Sequence, residues 1–165
     1  MTENFIQLKK PNIVKLAIQD FEGNETGEYL EFDVENTKLP IVYQEMIEKE
    51  KRNRQNFNNQ INIIEKRQDI KGKKLLSKNE EDKIRALDDF INKELETFDM
   101  FLGDNGSKKL LNGRQASWYS MIEILEIIQE QIFPYLEKSM KTTDEKLEEI
   151  KKKYSQENDK VLRDE

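Results

Sequence analysis

The chain has 165 residues, of which 38% are charged and 35% hydrophobic, and its formal net charge is −6. It contains no cysteine and no histidine, which excludes disulfides, thiol chemistry, Ser-His triads and most transition-metal sites. The length fits one domain, and the small apolar share favours helices with one apolar stripe each over a sandwich or a doubly wound sheet.

Residues 13–34 predict a β-hairpin with one apolar face. Apolar and polar residues alternate on both sides of a loop at residues 22–27 that contains two glycines, and this period-two pattern is typical of strands. A lone hairpin is only marginally stable in water. We therefore expect its apolar face to lie on helices, or its edge to pair with another chain. The apolar positions are Val14, Leu16, Ile18, Leu30, Phe32 and Val34.

The remainder of the chain predicts four helices, near residues 40–68, 78–102, 116–133 and 135–155. The first begins at Pro40 and has apolar ends around a polar centre at residues 48–56. The second follows a capping box of the form S-x-x-E at Ser77 and carries the clearest amphipathic stripe. The third is apolar beyond one stripe, so it should be the most buried helix or contribute to an oligomer interface. Pro134 should kink or end it.

The last helix is expected to begin at a second capping box, at residues 142–145, and to carry a thin apolar seam. The seam consists of Leu147, Ile150 and Tyr154. Because so thin a seam buries little, this helix should protrude or dock onto another chain. Residues 156–165 predict a disordered tail. The predicted fold class is therefore mainly α (α+β), with a single domain at residues 1–155 that comprises a hairpin at 13–34 and a helical part at 39–155.

The stretch FDMFLGDNGSKKLLNG, residues 98–113, holds three of the six glycines and raises the question of a ligand-binding loop. A phosphate-binding loop needs a different glycine spacing between a strand and a helix. An EF-hand needs more carboxylates and a closing glutamate. The stretch instead predicts a packed corner between the two most apolar helices, in which Asp104, Asn105 and Ser107 cap a short helical turn at residues 108–111. The corner residues are Gly103, Gly106, Gly113, Leu110, Leu111 and Trp118.

Neither a membrane nor a nucleic acid is expected as a partner. No stretch approaches the ~18 apolar residues that a membrane span needs, and the N-terminus has no apolar run of signal-peptide length. Basic and acidic residues are interleaved, so no basic block indicates nucleic-acid binding. We therefore expect a cytosolic protein.

Four segments resemble a known family. They are residues 18–33 (I-x-D-x-x-G-N-x-T-G-E-Y-L-E-F-D), 38–43 (K-L-P-I-V-Y), 71–77 (K-G-K-K-L-L-S) and 101–114 (F-L-G-D-N-G-S-K-K-L-L-N-G-R). Together they resemble tail assembly chaperones encoded in the tail-morphogenesis region of long-tailed phages and prophages of Gram-positive bacteria. The resemblance covers roughly residues 13–154. Its motifs are turns and caps, so it transfers no catalytic residue.

The resemblance implies a non-enzymatic function without a cofactor. Such chaperones coat the helical tape-measure protein, recruit major tail-tube subunits around it, and leave before the virion is complete. The expected location is thus the cytoplasm of the bacterial host and not the mature virion, and the expected partners include further copies of the chain. The partner-binding residues expected from the sequence are Leu30, Phe32, Leu147, Ile150 and Tyr154.

Two other functions stay open on the sequence. One is a structural adaptor or tail-completion protein that is retained in the virion. The other is an acidic phage protein that inhibits a host nucleic-acid enzyme. An enzymatic function ranks last, because histidine and cysteine are absent and no loop has the spacing of a catalytic motif.

Overall fold

An N-terminal antiparallel hairpin followed by helices makes up residues 4–161, the part of the chain that the computed structural model describes. Side chains are described for residues 4–156. The elements are β1 (Ile13–Gln19), β2 (Glu25–Asp33), α1 (Leu39–Lys66), α2 (Lys78–Leu102), α3 (Gly106–Leu111), α4 (Trp118–Ile127), a π-helical turn (Ile128–Ile132) and α5 (Phe133–Val161). The predicted fold class, a hairpin and a bundle of helices with a protruding last helix, is confirmed.

The hairpin has the alternation that the sequence predicted. Val14 pairs with Phe32 and Leu16 pairs with Leu30, so the apolar residues of both strands share one face. The loop is closed by Asp20, whose carboxylate accepts hydrogen bonds from the backbone N–H groups of Glu22 at 3.0 Å and Asn24 at 2.9 Å. These bonds favour the charged form and hold the pKa of Asp20 below its usual value.

Helices α1 and α2 form a long antiparallel pair. Near one end, the rings of Tyr43 and Phe101 lie 5.2 Å apart, and further along the rings of Phe57 and Phe90 stack at 4.6 Å. At the other end, Lys83 pairs with Glu65 at 3.0 Å. The two helices are therefore antiparallel, and one side of the polar centre of α1 faces α2 through the buried Glu50 and the half-buried Asn53, while the rest of this centre is exposed.

The core lies where the hairpin face meets α1, α2, α4 and the π-helical turn. Phe32 of β2 packs against Phe101 of α2, with ring centroids 5.4 Å apart. This contact covers the apolar face of the hairpin, as the instability of an isolated hairpin requires. The most completely buried apolar side chains are Met46, Phe98, Ile124, Ile128, Ile132 and Leu136.

Pro134 does not end the helix that contains it. The proline has no N–H to donate to the carbonyl of Glu130, and the hydrogen-bond ladder widens to a π-helical turn at Ile128–Ile132 just before it. The predicted second capping box is wrong. Thr142 and Thr143 lie inside α5, where their hydroxyls donate to the carbonyls of Lys138 and Ser139 at 3.0 Å each.

The second half of α5 leaves the core. Among its side chains described up to residue 156, the last buried one is Ser139, whose hydroxyl donates to the Val34 carbonyl at 2.6 Å and ties the helix to the end of the hairpin. From residue 140 to 156, only Thr143 is even partly buried. The helix continues to Val161, where the sequence predicted a disordered tail at 156–165, because residues 156–161 include neither proline nor glycine to end it. Residues 162–165 lie outside the described part of the chain.

Candidate interaction surface

The glycine-rich stretch forms the corner between α2 and α4, and its cap differs from the predicted one. The Asp99 carboxylate accepts the backbone N–H of Ser107 at 2.7 Å, and the Ser107 hydroxyl donates to the Leu95 carbonyl at 3.1 Å. Asn105 holds the N-cap position of α3 without a side-chain bond. The predicted cap by Asp104, Asn105 and Ser107 is therefore corrected. The acceptor is Asp99, in the last turn of the preceding helix, and it lies outside the loop residues that a capping pattern compares.

The other corner residues are used for packing and backbone reversal. Gly103 and Gly113 have φ angles of +89° and +77°, a region that favours glycine. A Cβ atom at Gly106 would overlap the Cβ of Leu102. Leu111 is buried and Leu110 half-buried, while Trp118 is partly exposed with its ring 6.1 Å from that of Phe90. The backbone N–H groups of the corner are thus hydrogen-bonded within the protein.

Leu30 and Phe32 do not lie on an accessible surface. Each is only 3% exposed, and both belong to the core. Their backbone groups are also used. Val34 donates to Asn12 across the hairpin, and hydrogen-bonded pairs alternate in antiparallel strands, so Phe32 and Leu30 exchange bonds with β1. Neither side chain is therefore available to contact a partner. The alternation predicted the buried face correctly but carries no information about what buries it.

The seam on the last helix is exposed. Leu147 and Ile150 are each 50% exposed and Tyr154 is 64% exposed, and we call these three residues the α5 seam. At about 100° per residue along a helix, Lys146 and Lys151 lie beside the seam. On the same geometry Glu145, Glu148 and Glu149 fall on the opposite half of the helix, while Asp144 borders the seam next to Lys151. The α5 seam is therefore an apolar strip with a lysine on each side and a single carboxylate, Asp144, next to it.

A second surface, which the sequence did not indicate, is a groove of about 520 Å³ between β1 and the α4 region. We call it the β1 groove. Arg114 at its end pairs with Glu123 at 3.1 Å, which leaves the rest of the rim acidic. The apolar floor includes Leu16, Ile18, Leu110, Ile127 and Ile132, and the acidic rim includes Asp20, Glu123, Glu126 and Glu130. A groove of this kind suits an apolar segment with basic residues next to it.

A buried polar cluster lies where α1 crosses α2. The Asn53 amide donates to the Glu94 carboxylate at 2.7 Å and to the Thr97 hydroxyl at 3.0 Å. Glu94 is 1% exposed, and neighbouring Glu50 is 5% exposed and paired with Arg54. Burial raises the pKa of Glu94 to about 7, and the negative charge of Glu50 adds to this while the Asn53 bond opposes it. The cluster can couple the packing of the two helices to pH.

Sequence reasoning missed this cluster because the polar centre of α1 resembles a solvated helix surface. The available signal was spacing: residues 50 and 53 in α1, like residues 94 and 97 in α2, are one helical turn apart. Two polar pairs of this kind on neighbouring helices can face each other. Only the register between α1 and α2, which the sequence does not state, brings them together.

Comparisons of the chain with known proteins found no matching family model, no matching curated protein and no matching solved structure. Among residues 4–156, whose side chains the structure describes, no group of three or more acidic side chains is arranged to hold a metal ion. No helix in that range is both long and apolar enough to cross a membrane. The α5 seam and the β1 groove both suit contacts with other polypeptides.

Proposed function

We propose that this protein is a tail assembly chaperone that binds the tape-measure protein, helps to recruit tail-tube subunits, and performs no enzymatic step. It acts in the cytoplasm of the bacterial host, associates with further copies of itself, and leaves before the virion is complete. The observation that carries the proposal is the exposed α5 seam on a helix that extends beyond the core. The resemblance of residues 13–154 to such chaperones supports it.

The α5 seam suits a helical client. A protruding amphipathic helix can pack along the apolar stripe of another helix, with side chains at i, i+3 and i+7 as anchors. Leu147, Ile150 and Tyr154 have this spacing. Lys146 and Lys151 beside them favour client segments that carry acidic residues next to their apolar stripe. A long tape-measure helix, which would otherwise self-associate, offers many stripes of this kind.

The strength of such a contact fits a transient coat. Full burial of a large apolar side chain is worth roughly 1.5–3 kcal/mol, so three half-exposed side chains add about 3 kcal/mol. Even a millimolar complex needs about 4 kcal/mol. One seam therefore holds a client weakly, and stable coating requires several copies along one client. Displacement of the copies by tail-tube subunits then costs little for each copy.

The test is co-expression of the chain with the tape-measure protein encoded by the same phage or prophage. The chaperone should increase the soluble yield of this client, and L147D/I150D should remove the increase because it places charges on the seam. Lys152→Asp is the matched control, since it adds the same carboxylate on the opposite half of α5. Circular dichroism should show that both variants retain the wild-type helix content. An unchanged client yield with the wild-type chain would contradict the proposal.

Mass spectrometry of purified virions distinguishes the remaining functions. A chaperone should be absent from them, whereas a stoichiometric amount would favour the structural adaptor. Binding of a host nucleic-acid enzyme, with no effect on the tape-measure protein, would favour the inhibitor.

A further inference from the structure

The N-terminal arm, residues 4–12, leaves large apolar side chains uncovered. It forms neither helix nor strand, and Phe5, Ile6 and Leu8 are 84%, 92% and 85% exposed. Lys9 and Lys10 follow directly. In an extended chain, Ile6 and Leu8 project to the same side, because side chains alternate with period two. The arm is thus an apolar segment with a basic end and no partner surface within its own copy.

The outer edge of β1 has backbone groups that are free to pair. The hydrogen-bonded pairs of the hairpin are Val14 with Phe32 and Leu16 with Leu30, so the N–H and C=O groups of Lys15 and Ala17 point away from β2. The N–H of Ile13 is not available, because it donates to the Pro11 carbonyl at 3.2 Å. Within residues 4–161, the sheet contains β1 and β2 alone. Such an edge is a template for a further strand.

The β1 groove lies directly beside this edge. Its floor includes Leu16 and Ile18 of β1 and Ile127 of α4, and the carboxylates of Glu126 and Glu130 lie on the far side. A strand added to β1 would direct every second side chain onto this floor. Basic residues at one end of that strand would meet the acidic rim.

We propose that the N-terminal arm of a second copy of this chain adds to the outer edge of β1 as a third strand. Its Ile6 and Leu8 enter the β1 groove, and its Lys10, on the same side of the added strand, pairs with the glutamates of the rim. The added strand covers both the open edge of β1 and the side chains of Ile6 and Leu8. The contact supplies a surface for the self-association included in the proposed function, and it requires no client.

The arm is supplied by a second copy because Pro11 hinders a return onto its own strand. A tight hairpin between the arm and β1 would place Pro11 and Asn12 in a two-residue turn. The favoured turns of this length need a positive φ at the first central residue, whereas proline holds φ near −65°. Proline at this position therefore disfavours a tight return of the arm onto its own β1, and a neighbouring copy can receive the arm.

Sedimentation velocity of the full chain over about 1–200 μM tests the contact, since this range spans the affinity expected of a short added strand. The wild type should associate as its concentration rises. I6D/L8D should weaken association by more than about a hundredfold, because both anchors lose their apolar burial. Ala17→Pro should also weaken it, since the ring removes an outward N–H while the hairpin ladder keeps its bonds.

A charge exchange keeps the test independent of folding effects. K9E/K10E and E126K/E130K should each associate about tenfold more weakly than the wild type, and an equimolar mixture of the two should recover the association. K73E/K74E, in the loop between α1 and α2, is the matched control and should behave as the wild type.

Three results would overturn the proposal. The first is a wild type that stays monomeric up to the highest concentration. The second is association that I6D/L8D leaves unchanged. The third is association that L147D/I150D abolishes while I6D/L8D does not, which would make the α5 seam the contact between copies. None of these results depends on the tape-measure protein, so failure here is distinguishable from failure of the co-expression test.

Discussion

The side-chain amide of Asn53 in α1 donates a hydrogen bond to the carboxylate of Glu94 in α2 at 2.7 Å, across 41 residues of sequence. This bond lies at the middle of the longest helix pair. Asn53 also donates to Thr97, so one amide satisfies two buried groups. A buried carboxyl is tolerated here because its polar partners are in place.

We expect this relationship to make stability depend on pH. The pKa of Glu94 rises from an ordinary value of 4.5 to about 7 in the folded protein. The folded chain thus holds this proton more tightly than the unfolded chain. The stability that the group contributes is fully present below pH 4.5 and is lost as the pH rises through about 7. The loss amounts to about 3 kcal/mol at most.

Glu94→Gln should remove this dependence, because glutamine accepts the Asn53 bond without a charge. The variant should be more stable than the wild type by about 1–3 kcal/mol at pH 8 and nearly equal to it at pH 5. Urea unfolding at both pH values measures the difference. Glu96→Gln, on the exposed side of α2, is the control. Equal effects of the two substitutions at pH 8 would contradict the assignment.

The cap of α3 gives a second prediction. Asp99→Ala leaves the buried N–H of Ser107 without its acceptor and should lower the free energy of unfolding by about 1–2 kcal/mol. Asp104→Ala should change it by less than about 0.5 kcal/mol, since Asp104 is exposed in the loop. Thermal or urea unfolding of both variants decides between the two acceptors. A larger effect at Asp104 would restore the prediction made from the sequence.

Two glycines should respond in opposite ways to alanine. Gly106→Ala forces a methyl group against the Cβ of Leu102 and should destabilise the protein by about 1–3 kcal/mol. At Gly72 a Cβ would meet nothing within 4 Å, so Gly72→Ala should be neutral or stabilise by about 0.4–1 kcal/mol through the unfolded chain. Midpoints of urea unfolding compare the two. A neutral Gly106→Ala would show that the corner can expand.

The capping box at the start of α2 should also contribute to the free energy of unfolding. The Ser77 hydroxyl accepts the Glu80 N–H at 3.2 Å, and the Glu80 carboxylate accepts the Ser77 N–H at 2.7 Å. Ser77→Ala should cost about 1 kcal/mol of unfolding free energy. Ser155→Ala, on the exposed end of α5, is the matched control and should cost little. An equal loss in both variants would mean that the box contributes nothing specific.

Local patterns in the sequence predicted the elements that depend on neighbouring residues. The box at Ser77 spans one helical turn, and the alternation around Leu30 needs only its own strand, so both were predictable. The Asp99 cap, with a partner eight residues away, and the bond between Asn53 and Glu94 depend on how elements pack. Residues 142–145 show the opposite case. They match the capping-box pattern but lie inside α5, because the helix is already formed on both sides of them.

The interaction surfaces divide in the same way. The α5 seam was predictable from the spacing of apolar residues within one helix. Its exposure was predictable because three apolar side chains bury too little surface to hold the helix on the core. The β1 groove unites β1, the corner and α4, and no single segment contains its pattern. Leu30 and Phe32 were expected to contact a partner because a lone hairpin needs another surface to cover its face or pair with its edge. Their burial depends on Phe101, which lies two elements away.

The π-helical turn at Ile128–Ile132 holds one residue more than an α-helical turn would accommodate. Each added residue rotates everything downstream by about 100° about the helix axis. The azimuth of Leu147, Ile150 and Tyr154 around the rod is therefore set some twenty residues upstream, beside Pro134. Deleting one residue from this turn would leave the same strip intact but rotate it to a different side of the helix axis relative to the core.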